Sequence, residues 1–307
     1  MELKNETWRK DAVALMKEIV KPKQERLANQ LSELLTPVEK SVHQFVRDLS
    51  FQEGAWYRPA HNIIVPAAMI SICTKENCPR DLVYAALLHD AGNSLMVVAD
   101  TTKGADWENP DKRYKHMQLG SIMTSTALLY ARSQGLEIDL KRIPVLADIV
   151  ATHDYPYLGR ELTTPEELAH RDADRVFVPS SLSWYKDLIA HASDAKYLDK
   201  AKAFGMEINP EHFLLCRLAF FYKSEVELPG FENQKNLHLS SELATYNEGG
   251  KTEPPYTPTA KEMIDEMFVR RASELETVKG CSLKQFGNLF ENAFVSEIEN
   301  LLAREKE

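Results

Sequence analysis

Apolar residues recur through most of this chain at intervals of three and four, the spacing of one helix face, while alternating runs joined by tight Asn-Gly or Asp-Gly turns are absent. The expected class is therefore all-α. Residues 7–30 and 33–48 read as two amphipathic helices, with Pro37 in the first turn of the second, where its missing N–H does little harm. Residues 1–54 are accordingly expected to form an N-terminal helical extension. Helices are then expected from Pro59 to about Cys73, from Pro79 to about Asp90, from His116 to Ser133 and from Leu140 to His153, and these four make up the expected core. Thr164, Pro165 and Glu167 read as cap, first helical residue and back-reaching acid of a short helix leading to Asp174.

Beyond it, Leu182–Phe204 and Pro210–Val226 read as long helices, and the apolar run from Phe213 to Tyr222 demands burial. Residues 55–226 thus form the expected central domain. Gly, Pro, Asn and Ser crowd residues 227–257, which read as a loop: an ordered flap or a flexible connection. Thr257-Pro258-Thr259 with Glu262 starts a further helix, and residues 282–305 read as a terminal amphipathic helix. Residues 258–307 are expected to pack on the core, the last helix being a candidate for homo-oligomer formation.

Composition changes this picture little but narrows the function. With 44% hydrophobic and 27% charged residues among 307, the chain has the makings of a sizeable core, so disorder is not the default. No apolar run approaches the roughly 20 residues that cross a bilayer, and the Lys/Glu-rich first 30 residues have no apolar signal core. A cytoplasmic protein with no membrane role is expected. Cys73, Cys78, Cys216 and Cys281 are too few and too scattered for a disulfide framework, and no second pair follows at zinc-finger spacing. A formal charge of -9 argues against nonspecific binding to nucleic acid.

The chemistry-bearing feature is a series of His and Asp residues at expected helix ends between His61 and Asp174. At its centre, Ala85-Ala-Leu-Leu-His-Asp-Ala-Gly92 is an apolar helix that delivers His89 and Asp90 side by side and is expected to stop at Gly92. Imidazole and carboxylate together suit Fe, Mn, Co, Ni, Zn or Mg, and a carboxylate is able to bridge two cations. Arg58 lies three residues before His61, beside Trp56 and Tyr57, where a cation and aromatic faces would approach a bound substrate. Lys112, Arg113 and Lys115 precede His116 in an expected loop and are further substrate-binding candidates, with Arg160 and Arg175 weaker ones. His43, His170, His191, His212 and His238 read as structural, the His191-x-x-Asp194 spacing being that of a polar helix surface or a local hydrogen bond.

His61, His89-Asp90 and the Asp172-Ala-Asp174-Arg175 segment resemble the H, HD, D pattern of HD-domain phosphohydrolases, over about residues 55 to 200. His61-Asn-Ile-Ile-Val65 is similar to that family's first-ligand helix, and its Ala-Asp-Arg context maps the last acidic ligand to Asp174 rather than Asp172. His116 and His153 fall where the binuclear branch places additional ligands. The resemblance implies an HD-domain helical bundle in which His61, His89 and Asp174 hold one divalent metal ion, His116 and His153 a second, and Asp90 bridges them. It implies a metal-dependent phosphohydrolase in which His89 and Asp90 are indispensable to catalysis and metal-bound hydroxide cleaves a phosphate ester of a nucleotide or other small phosphorylated metabolite. Two other readings stand beside this one: an HD-type di-iron oxygenase oxidising a small molecule, and a catalytically silent HD binding protein. Asp154-Tyr-Pro-Tyr lacks the paired-His signature of the cyclic-di-GMP phosphodiesterases, and Asp174-Arg-Val-Phe departs from the alarmone-hydrolase continuation.

Overall fold

The computed structural model of the protein describes residues 5–53, 56–99, 109–192, 198–199, 202, 209–222 and 252–304. These residues form α1 (Glu6–Leu34), α2 (Pro37–Glu53), α3 (Arg58–Lys75), α4 (Leu82–Leu88), α5 (Ala91–Ala99), α6 (Pro110–Ser133), α7 (Arg142–Thr152), a 3-10 turn (Tyr155–Leu158), α8 (Pro165–Arg175), α9 (Ser181–His191), α10 (Pro210–Phe221), α11 (Pro258–Val278) and α12 (Leu283–Ala303). No strand occurs among the described residues, so the chain is all-α as its periodicity predicts. The loop expected at 227–257 lies outside the described residues up to 251, as do His238, Asp194, Phe204 and Val226.

A cap followed by proline starts helix after helix. Thr36-Pro37, Asn109-Pro110, Thr164-Pro165, Asn209-Pro210 and Thr257-Pro258 each place an oxygen-bearing side chain where it accepts from an orphan backbone N–H, then a residue whose fixed φ is already helical. In α2 and α8 the box is reciprocal, since Glu39 Oε2 accepts from Thr36 N at 2.7 Å and Glu167 Oε2 from Thr164 N at 2.9 Å.

The chain divides into two compact units, Met1–Lys23 with Val178–Glu297, and Gln24–Phe177 with Ile298–Glu307. In the first, Phe286, Phe290 and Phe294 stand at four-residue steps on α12 with stacked rings, and Trp8 and Tyr185 meet Phe286 edge-on at 5.3 and 5.5 Å. Buried Arg271 of α11 is matched by two acids, Glu297 at 2.5 Å and Glu274 at 2.9 Å.

The second unit holds every metal-ligand candidate. Its α3 is buried continuously over residues 60–73, as befits a helix that is apolar on all sides. Around it, α3 packs against α4 and α8, and α4 against α7. Arg142 at the start of α7 ties these elements together by donating to Asp81 at 2.6 and 2.9 Å and to Glu166 of α8 at 3.0 Å.

Two expectations in this unit need correction. The helix read from Pro79 to Asp90 is shorter, α4, and a new helix, α5, starts at Ala91, leaving His89 and Asp90 in the turn between them. Gly92 therefore stops nothing: it lies inside α5 with no positive φ, and its role is close approach, since a Cβ there would stand 2.0 Å from the His116 carbonyl oxygen and 2.6 Å from the Gly120 nitrogen. Likewise α6 begins at Pro110, so Lys112, Arg113 and Lys115 ride on its first turns rather than in a loop.

Candidate metal centre

His61 projects from the first turn of α3, while His89 is the residue that caps the C-terminus of α4. The Nδ1 of His89 lies 2.9 Å from the Ala86 carbonyl oxygen, which places the proton on Nδ1 and leaves Nε2 facing away from the helix. His153 caps α7 in the same manner, its Nδ1 2.7 Å from the Val150 oxygen. His116 comes from the second turn of α6 and Asp174 from the last turn of α8. Gly92 and Gly120 allow the α4–α5 turn to close onto α6, where a Cβ on Gly120 would meet the His89 oxygen at 2.8 Å. Backbone contact thus sets the depth at which His89, Asp90 and His116 meet.

The six side chains converge as two imidazole pairs with their carboxylates. His61 Nε2 and His89 Nε2 are 3.0 Å apart, and His116 Nε2 and His153 Nε2 are 3.2 Å apart. Asp90 lies between the pairs, Oδ2 3.3 Å from His61 and Oδ1 3.9 Å from His116. Asp174 Oδ1 closes the first pair at 3.3 Å from His89 and 3.6 Å from His61. His61, His89 and Asp90, and separately Asp90, His116 and His153, have ligand atoms all within 4.8 Å of one another, so each set is able to hold a metal ion.

At this place the carboxylates favour positive charge and burial opposes it. Burial pulls the His89 pKa down, but Asp90 and Asp174 outweigh it and raise it to about 9. Burial holds His61 below the ordinary imidazole value, and burial followed by His153 brings His116 down to about 4. Burial opposes ionisation of Asp90, yet Arg58 and the neighbouring imidazoles hold its carboxyl well below the usual range, and His89 does the same for Asp174. Ionised carboxylates beside imidazole nitrogens that face one another at 3.0 and 3.2 Å form a donor set that a divalent cation satisfies, provided that it displaces the proton held by His89. The residues present therefore fit a divalent metal ion at either set.

Of the substrate candidates, Arg58 and Arg113 are buried within the cluster. Arg58 pairs with Asp90 Oδ2, and Arg113 Nη1 donates to Asp154 at 2.9 Å. Lys112 is half-buried, Lys115 and Arg160 are exposed, and Arg175 is buried with Asp172 3.9 Å away. Trp56 and Tyr57 are half-buried, the Arg58 guanidinium lying 5.6 Å from the Tyr57 ring centre. His170 stands nearer the site than its sequence context suggests, its ring 5.6 Å from His89 and 6.0 Å from His153, and burial lowers its pKa to about 3. Asn93, Asp154 and Arg171 escape a reading of the sequence. Asn93 donates to Asp90 Oδ1 at 2.8 Å, and Arg171 Nη1 reaches both Asp154 at 3.2 Å and Asp174 at 3.5 Å. For Asp154 a signal existed, because His153-Asp154 repeats the His89-Asp90 step at another helix end.

Comparison with protein-family models, curated proteins and solved structures gave no match to this chain.

Proposed function

We propose that the protein is a metal-dependent phosphohydrolase of the HD type, acting on a phosphate ester of a nucleotide or another small phosphorylated metabolite, with the segment 55–226 as its metal-binding domain. The observation that carries this reading is the pairing of four imidazoles about one carboxylate, Asp90, whose two oxygens face different pairs. Two divalent cations in such a site supply charge neutralisation on the attacking and leaving oxygens and lower the pKa of bound water.

The chain's own groups do the rest. His89 and His153, each locked by a carbonyl three residues back, present Nε2 at a fixed angle, and Asp90 sets the spacing between the two halves. Buried Arg58 and Arg113, each held by an acid, Asp90 and Asp154, carry guanidinium groups of a kind suited to phosphoryl oxygens. Arg171 ties α8 to the His153-Asp154 step and so keeps Asp174 aligned.

The test is metal analysis of the purified protein followed by parallel phosphate-release and O2-uptake assays. Two cations per chain and phosphate release with Mn, Co or Mg are expected, and both are expected to be lost in His89→Ala and Asp90→Ala with the helical circular dichroism kept. Iron with O2 consumption and no phosphate release would replace this reading by the oxygenase one. Wild-type metal content and turnover in both variants would remove these residues from the chemistry.

A further inference from the structure

The first imidazole pair has a carboxylate of its own, Asp174, besides the shared Asp90. The second pair has a counterpart in the same relation. Asp154 Oδ2 lies 3.5 Å from His116 Nε2 and 3.9 Å from His153 Nε2, against 3.3 and 3.6 Å for Asp174 Oδ1 from His89 and His61. A cation bound tetrahedrally at about 2.0–2.2 Å spaces its ligand atoms by roughly 3.4 Å. The separations of 3.2, 3.5 and 3.9 Å among His116, His153 and Asp154 centre on that value.

The local construction is also duplicated. His89-Asp90 follows α4 and His153-Asp154 follows α7, and in both the histidine caps the helix with Nδ1 on a carbonyl three residues earlier. The Asp154 side chain is 6% exposed. Its oxygens accept from Arg113 Nη1 at 2.9 Å and Arg171 Nη1 at 3.2 Å, and its backbone N–H lies 3.3 Å from Met117 Sδ. A carboxylate oxygen has two lone pairs, so Oδ2 is able to keep Arg113 while the other lone pair serves a cation, the usual arrangement of a ligating carboxylate held by a hydrogen bond.

We propose that Asp154 is the terminal carboxylate ligand of the second cation, so that each metal position takes two imidazoles, one carboxylate of its own and a share of Asp90. This rests on the binuclear reading above and extends it from six protein ligands to seven. The two positions then have matching donor sets, which suits two ions of the same kind, and Arg113 and Arg171 are positioning residues that hold the ligand. The competing role for Asp154 is that of counter-charge to those arginines and nothing more.

Titration of the metal-free protein with cobalt(II), followed by visible absorption and equilibrium dialysis, separates these. The wild type is expected to take up two equivalents. Asp154→Asn is expected to keep the first and to bind the second at least about tenfold more weakly, with a changed cobalt spectrum; Asp174→Asn, the control, weakens the other position. Two equivalents at wild-type affinity and an unchanged spectrum in a folded Asp154→Asn would overturn the proposal. Failure of the wild type to bind any cation would instead defeat the metal-centre reading on which it rests. Since Asp154→Asn leaves two buried arginines without their acid, a zinc-loaded crystal of the wild-type protein provides a second, independent measurement: Asp154 Oδ2 within about 2.2 Å of an ion supports the assignment, and a longer distance at an occupied second position refutes it.

Discussion

At the scale of single residues, Asp90 and Gly92 show how much of the cluster's geometry depends on one buried charge and one missing side chain. Asp90 is 8% exposed yet faces Arg58, His61, His89, His116 and Asn93, so no uncharged residue of its size replaces it without leaving buried partners unmatched. Gly92, two residues on, has no room for a Cβ, because the obstacle 2.0 Å away is the backbone oxygen of His116 rather than a flexible side chain. Gly92→Ala must push α5 away from α6, and with it separate the first imidazole pair from the second. The expected result is a loss of about 2–3 kcal/mol in urea unfolding, together with weaker uptake of the second metal equivalent. Unchanged stability would mean that the contact between α5 and α6 is looser than its geometry.

At the scale of elements, what could be read in advance follows the kind of signal each boundary uses. Helix starts marked by Thr-Pro or Asn-Pro are chemical punctuation: α8 and α11 begin where Thr164-Pro165 and Thr257-Pro258 predict. The α4–α5 break carries no such mark. Apolar residues continue from Leu82 to Val98 on both sides of it, and the turn is made by the candidate ligands His89 and Asp90, so periodicity alone runs the helices together. That the six candidate side chains come together was legible from His and Asp types at expected helix ends joined to the resemblance to HD-domain phosphohydrolases. Arg171 and Asn93 were not, since a lone base or amide gains meaning only from what tertiary packing sets against it, whereas Asp154 left one trace, the repeated His-Asp step. The cap of α8 offers a direct test of the punctuation argument. Thr164→Ala removes the acceptor of the Glu167 N–H and is expected to cost about 1 kcal/mol in chemical denaturation. Thr164→Ser, which retains the hydroxyl, should recover most of it, and equal losses in both variants would show that the methyl group rather than the cap is what matters.

Over the whole molecule, the formal charge is -9, and several imidazoles are nonetheless held in interiors that reject their charge. His43 and His191 are each brought down to about 4, chiefly by burial, with Arg47 and Arg217 adding like charge. His43 is 3% exposed and is not one of the metal-ligand candidates, so its titration reports on folding alone. Its folded pKa of about 4 lies below the ordinary 6.5, so the unfolded chain binds a proton first as the medium is acidified. The stability it contributes is complete above pH 6.5, declines as the pH falls, and is exhausted near pH 4. Between pH 7 and pH 5 this single group should account for a loss of about 2 kcal/mol. His43→Leu cannot gain that proton in either state. Its stability difference between the two pH values, measured by denaturant unfolding of the full chain, should therefore be smaller than the wild type's by that amount, even if its stability at pH 7 is lower. Parallel losses in the two proteins would mean that His43 is already charged in the folded state, and that the acid lability of the fold originates in the other buried imidazoles.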